Sequence, residues 1–132
     1  MQAFESTEQM YDIIGSLLRE ILADETIGTK YRESDMIIKY NISGPTGEIW
    51  VTKEGEVICG ATDNPLAPSV AMTLSGDSCH AFWMQELSLP MAVAKGKIKV
   101  KGSLVKVLKL IPLLKPAYKA YPEIARKYGM AV

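Results

Sequence analysis

The chain has 132 residues, 48% of them hydrophobic, and its 15 basic and 15 acidic side chains give a formal net charge of zero. That length and apolar content suit a single compact domain with a real core and leave little room for a second. No apolar run approaches the ~20 residues a membrane span requires, and the acidic opening MQAFESTEQ lacks the positive start of an export signal.

The zero net charge hides a division. Residues 1–66 carry 5 basic and 12 acidic side chains (net −7), and residues 67–132 carry 10 and 3 (net +7), with eight lysines and no acid between Lys95 and Lys119. Such asymmetry means either an anionic partner or two halves that pack together and neutralise one another, and the second is the plainer expectation. Cys59 and Cys79 lack metal or redox spacing and read as isolated apolar cysteines of a reduced compartment, so a cytoplasmic location is expected.

The clearest local pattern comes first in the chain. Met10, Ile13, Ile14, Leu17, Leu18, Ile21 and Leu22 repeat along one helical face, and Ser6 with Gln9 forms a capping box at its start. A short helical segment follows near residues 26–32. Residues 36–43 then read as a strand with Ile38, Tyr40 and Ile42 on one face; Gly44-Pro45-Thr46-Gly47 turns the chain, residues 48–53 return, and Glu54-Gly55 leads into a third strand over 57–62. Tight turns make these three antiparallel neighbours.

The breaker-rich run 63–68 carries the chain elsewhere in the sheet. Residues 69–74 alternate as a fourth strand with Val70, Met72 and Leu74 on one side, and Ser75 caps a helix expected to reach about Leu87. Pro90 fits the first position of another helical turn. Lys97 to Lys101 reads as a fifth strand with Ile98 and Val100 inward and three lysines outward. Ser103 caps a helix whose Leu104, Val107, Leu108 and Ile111 make a nearly continuous apolar face, with Leu108 expected to point inward. Pro112, Pro116 and Pro122 predict that the tail is broken into short helical pieces folded over the body.

The run GKIKVKGSLVKVLKL, Gly96 to Leu110, resembles the glycine-bounded strand and following helix of the sterol carrier protein type 2 family of lipid-transfer domains. The likeness extends over nearly the whole chain: an amphipathic first helix, a three-strand meander, a fourth strand, short helices, the lysine strand and an apolar C-terminal run. It implies an α/β (α+β) fold, a five-stranded, mostly antiparallel twisted sheet in the order 3-2-1-4-5 covered by helices on one face. It also implies a hydrophobic tunnel between sheet and helices, with the C-terminal segment as its cover. The ending Gly129-Met130-Ala131-Val132 departs from the peroxisomal tripeptide of many eukaryotic members.

Catalytic chemistry is sparse. Asp77 and the single histidine, His80, lie three apart on a predicted helix, so the carboxylate is placed to orient the imidazole, but no converging nucleophile or oxyanion site accompanies them. One histidine and two distant cysteines fall short of a metal ligand set, and no cofactor-binding fingerprint is present. The lysine strand lacks the interleaved aromatics of a nucleic-acid binder. Lys97, Lys99 and Lys101 are placed to guard an edge strand, and together with Lys106 and Lys109 to meet anionic lipid headgroups, a membrane surface or a coenzyme A phosphate; the two roles are compatible.

What stands out is apolar excess. Taken with the resemblance, it nominates Trp50, Met72, Leu74, Phe82, Trp83, Leu87, Met91, Leu104, Val107, Leu108, Ile111, Leu114 and Tyr118 as ligand-binding residues. The expected function is non-catalytic binding and transfer of a fatty acid, fatty acyl-CoA, sterol-like or isoprenoid lipid. The alternative is a structural or dimerising module, such as a homodimer, with the same fold and a tunnel filled by large residues such as Trp50, Trp83 and Tyr118; an enzyme acting on an acyl thioester through Asp77 and His80 comes third.

Overall fold

The computed structural model describes residues 2–60 and 67–132. The end of the expected third strand and most of the loop after it lie outside the described residues. Along the chain the elements are α1 (Thr7–Ala23), α2 (Glu25–Glu33), β1 (Ile38–Ser43), β2 (Gly47–Val51), β3 (Val57–Cys59), β4 (Val70–Ser75), α3 (Gly76–Trp83), α4 (Leu89–Ala94), β5 (Ile98–Gly102), α5 (Leu104–Leu110), a 3-10 turn (Ile111–Leu114) and α6 (Lys115–Lys127).

The strands form one sheet in the order β3-β2-β1-β4-β5. The meander pairs antiparallel, as does β4 with β5, while β1 and β4 run parallel from Ile38↔Val70 to Ser43↔Ser75. The sheet is therefore mixed but mostly antiparallel. Because side chains alternate across a strand, one face carries Ile38, Tyr40 and Ile42 of β1 beside Ile49 and Val51 of β2, and Val70, Met72 and Leu74 of β4 beside Ile98 and Val100 of β5. The helices cover this face.

α1 lies across it with Ile13 and Leu17 fully buried. Its start is held as the capping box predicts, with one change of partner. Ser6 Oγ accepts from Gln9 N at 3.0 Å, but Gln9 Oε1 accepts from Glu5 N at 2.7 Å, one residue earlier than the box prescribes. Gln9 Nε2 also donates to the Tyr128 carbonyl at 3.1 Å, so this buried amide ties α1 to the end of α6.

α3 stops at Trp83, short of the expected Leu87. Gln85 takes the left-handed conformation (φ 63°), and Glu86 N donates to Ala81 O and Gln85 N to Phe82 O, which closes the helix in a Schellman turn. Glycine or asparagine is the usual signal for such a stop, and neither stands there. Pro90 occupies the second rather than the first helical position after the Ser88 cap. Gly96 (φ 73°) ends α4 in the same way, with Lys97 N donating to Ala92 O at 2.8 Å.

The other glycine of the lysine strand has a different task. At Gly102 (φ 114°) a Cβ would fall against the Ser69 carbonyl oxygen and 3.1 Å from Val70 Cα, so only glycine lets β5 approach β4 there.

The tail corrects the expectation drawn from its prolines. Pro112 and Pro116 sit at the starts of the 3-10 turn and α6, where no N–H is needed, but Pro122 lies inside α6 without ending it. The helix continues because Ala117, Tyr121 and Ala125 are wholly buried on one face, packed largely on α1, and that burial outweighs one lost backbone hydrogen bond.

Candidate functional site

Between the covered sheet face and the helices lies a cavity of about 100 Å³, open on one side. Its floor is Ile38, Tyr40, Ile42, Val51, Met72, Leu74 and Ile98 of the sheet. Ile14, Leu18, Ile21 and Leu22 of α1, with Ile27 and Tyr31 of α2, close one side, and Cys79, Phe82 and Trp83 of α3 with Leu89 of α4 close another. Val107, Leu110, Ile111, Leu113 and Leu114 supply the remaining wall. α5 and the 3-10 turn pack on each other, and the turn on α6, more than on the sheet, so this wall is only weakly tied to the sheet.

The sequence-nominated residues divide between wall and elsewhere. Met72, Leu74, Phe82, Trp83, Val107, Ile111 and Leu114 line the cavity. Leu108 does not: α5 turns Val107 and Leu110 inward, which leaves Leu108 36% exposed on the outer side beside Val105 at 63%. Trp50 is buried on the opposite face of the sheet, because Ile49 and Val51 take the inward positions of β2. There Lys39 Nζ sits 5.0 Å from its ring centre and Glu48 accepts its Nε1–H at 3.2 Å. Leu87 falls beyond the turn at Gln85 and leaves the wall, Met91 is 50% exposed on α4, and Leu104 is half-buried at the first residue of α5. Tyr118 stands behind the wall, its ring 5.9 Å from Phe82 and 6.0 Å from Trp83.

Sequence reasoning missed the α1 and α2 side of the cavity and the sheet floor outside β4. The signal was present in α1, whose apolar stripe is two residues wide at each turn: Ile13 and Leu17 are fully buried and do not line the cavity, whereas Ile14 and Leu18 do.

No charged side chain lines the cavity among the described residues. Its polar side-chain groups are two phenols, a thiol and the indole N–H of Trp83. The Tyr31 hydroxyl lies 2.9 Å from the Met36 carbonyl and 3.0 Å from that of Val51, to which it donates. The Tyr40 hydroxyl has no hydrogen-bond partner among the described residues and is open to the cavity, since every sealed side-chain oxygen or nitrogen there is paired. Burial drives the pKa of Tyr40 and Tyr31 upward and pushes the Cys79 thiol to about 12, against a smaller downward pull from its hydrogen bond with Trp83. All three are neutral at physiological pH.

Outside the cavity the Asp77–His80 pair does not form. Asp77 Oδ1 accepts from Ala3 N at 2.8 Å, and His80 Nδ1 is 2.8 Å from the hydroxyl of fully buried Tyr121. The described residues contain no cluster able to hold a metal ion, and none of their helices is long and apolar enough to cross a membrane.

Lys97, Lys99, Lys101, Lys106 and Lys109 are all exposed. β5 is an edge strand that starts at Ile98, one residue later than expected, and passes through Ser103 directly into α5, so Lys97 stands just before β5, Lys99 and Lys101 on it, and Lys106 and Lys109 on α5. The ion pairs among the described residues, Lys39–Glu48 and Lys53–Asp35, both lie within the acidic first half. The expected neutralisation of one half by the other therefore takes no form of direct pairing there.

A model of the SCP-2 sterol transfer family matches residues 17–115, from the middle of α1 to the start of α6. Among solved structures, the fold is similar to apo sterol carrier protein 2 from Yarrowia lipolytica (TM-score 0.62, 23% identity, 80% of this chain and 90% of that one). It is similar also to sterol carrier protein domain 2 of Helicoverpa armigera (0.65, 20%, 84% and 89%) and to palmitated SCP2L2 from Aedes aegypti (0.59, 20%, 80% and 93%). At these identities the likeness establishes the fold alone. A search of curated protein sequences returned no match. With the family model covering every strand and nearly every wall of the cavity, the chain belongs to the SCP-2 sterol transfer family.

Proposed function

We propose that this chain binds a hydrophobic lipid with a long apolar body in the cavity between sheet and helices and carries or presents it without catalysing its conversion. The observation that carries this reading is a cavity with an uncharged, almost wholly apolar wall in a chain of a lipid-transfer family. A folded core is normally close-packed, and unfilled apolar volume of this kind is destabilising unless something occupies it.

The energetics suffice. Burying a sixteen-carbon chain at ~0.8 kcal/mol per methylene offers about 12 kcal/mol gross, which association and ordering costs reduce to micromolar or submicromolar binding. Because one extra methylene changes affinity little, several lipids of similar length are expected to bind. The palmitated state of the Aedes aegypti protein supports a fatty-acyl chain as one such cargo. The little room for free water means that cargo seats by displacing side chains, most easily where α5 and the 3-10 turn are weakly tied to the sheet.

That wall also suggests how cargo arrives. Its outer side presents Val105 and Leu108 among Lys106, Lys109 and the β5 lysines, a combination that suits transient contact with an anionic membrane surface. Free Cys59 and Cys79 fit a cytoplasmic setting. Displacement of a fluorescent fatty-acid probe by unlabelled fatty acid, fatty acyl-CoA and sterol tests the reading. Saturable displacement at one site per chain is expected, and absence of binding by every probe would return the cavity to a structural role.

A further inference from the structure

The floor of the cavity holds one polar group out of keeping with its surroundings. β1 is the central strand of the sheet, and Tyr40 faces Ile49 on one side and Met72 on the other, so its phenol rises from the middle of the floor. The neighbouring phenol, Tyr31, reaches two backbone carbonyls. The Tyr40 hydroxyl reaches no partner among the described residues, yet the rest of the sheet floor around it is apolar. A phenylalanine would fill the same space without that liability. In the empty protein that hydroxyl is not sealed from water, but cargo that fills the cavity expels the water, and a hydroxyl then left unpaired costs about 1–3 kcal/mol, so the group is explained if the cargo itself pairs it.

We propose that Tyr40 is the polar anchor of the cavity and that the preferred cargo is an amphiphile with a neutral oxygen, a hydroxyl or carbonyl, seated at the depth of Tyr40. The inference rests on the lipid-binding reading and narrows it. The phenol stays protonated at physiological pH, so it offers an O–H donor and an acceptor oxygen and no charge. An ionised carboxylate at that depth would be buried without a cation, because no lysine, arginine or histidine lines the cavity among the described residues. A neutral oxygen meets neither objection. A pure hydrocarbon would exclude water from the hydroxyl and leave it unpaired.

The test compares dodecane, dodecan-1-ol and dodecan-2-one on the parent protein and on Tyr40→Phe, read by displacement of one fluorescent probe and expressed as the ratio of variant to parent affinity for each compound. One neutral hydrogen bond corresponds to an affinity loss of about 3- to 10-fold. That loss is expected for the alcohol and the ketone, with dodecane unchanged or slightly tighter. An equal change for all three compounds would make Tyr40 a packing residue and overturn the inference, as would no change for any. If the parent binds none of the three, both the anchor and the lipid reading fall; if it binds dodecane and the others with no effect of Tyr40→Phe, only the anchor falls. A second measurement needs no variant. The carbonyl stretch of isotope-labelled dodecan-2-one bound to the parent must sit at a hydrogen-bonded frequency, and a frequency like that in alkane solution contradicts the anchor.

Discussion

Replacing Val107 with tryptophan separates an open cavity from a packed core. Val107 is 5% exposed, lines the cavity from α5, and belongs to a wall weakly tied to the sheet. If the space before it were filled by side chains, an indole would overpack the core and cost about 1–3 kcal/mol. With an unfolding entropy of about 2.1 cal/mol/K per residue over 132 residues, that is a fall in Tm of about 4–11 °C. If the space is empty, the indole enters it and Tm moves by less than about 2 °C, because dispersion attraction between the ring and the cavity wall offsets the strain of seating it. Binding then suffers instead: excluding about three methylenes of cargo removes about 2.4 kcal/mol, a loss of roughly 60-fold. Thermal unfolding and probe titration on the lipid-stripped protein read both effects. Leu108→Trp is the control, since Leu108 is 36% exposed on the outer side of α5 and should change neither quantity by much. A fall in Tm of the larger size for Val107→Trp, with no binding in the parent to lose, would refute the reasoning.

Three further outcomes follow from the geometry. Binding to anionic vesicles should weaken between low and high salt, and replacing Lys99, Lys101 and Lys106 with glutamine should mimic the salt, whereas partition of a neutral probe into the protein should hardly change; salt-independent vesicle binding, or none, leaves these lysines as guards of the β5 edge. Gly102→Ala should destabilise by about 2 kcal/mol or more in urea unfolding, because its Cβ meets backbone of Ser69 and Val70 that cannot yield; wild-type stability would mean that β5 moves freely from β4. Stability should fall as pH rises above about 9: burial holds the Cys79 thiol up to about 12 from an ordinary 9 and raises Tyr31, Tyr40 and Tyr121 as well, so the unfolded chain releases these protons first. A urea midpoint that is flat from pH 8 to 11 would contradict that burial.

The sheet was legible in the sequence because period-2 alternation and glycine or proline turns are local signals, and the lysine strand carried its own delimiters. Gly96 and Gly102 bound it for unlike reasons, a helix stop and a close approach to β4, and either reason alone would leave the motif half explained. Helix ends were less legible. Gln85 adopts a left-handed conformation that its side chain does not announce, and Pro122 is carried inside α6 by burial of Ala117, Tyr121 and Ala125, a tertiary effect that local preference cannot register.

The cavity was legible as an excess of apolar residues but not as a set of walls. Leu108 reads as the centre of an apolar stripe, yet a seven-residue helix with aliphatic residues on both sides leaves its inward face undetermined until packing chooses Val107. Trp50 reads as a ligand contact by size alone, and strand register sends it to the other face of the sheet. Tyr40 sits in the expected strand and on the expected face, but nothing local distinguishes a hydroxyl that ends in a cavity from one that ends on a carbonyl, as Tyr31 does.

The most direct measurement on the central claim is the lipid content of the protein after gentle purification, by organic extraction and mass spectrometry with the protein quantified in the same sample. The account predicts roughly one lipid per chain, with a long apolar body, that is lost from Val107→Trp and retained by Leu108→Trp. Protein that emerges empty, and that then takes up no fatty acid, acyl-CoA or sterol when these are supplied, would contradict it.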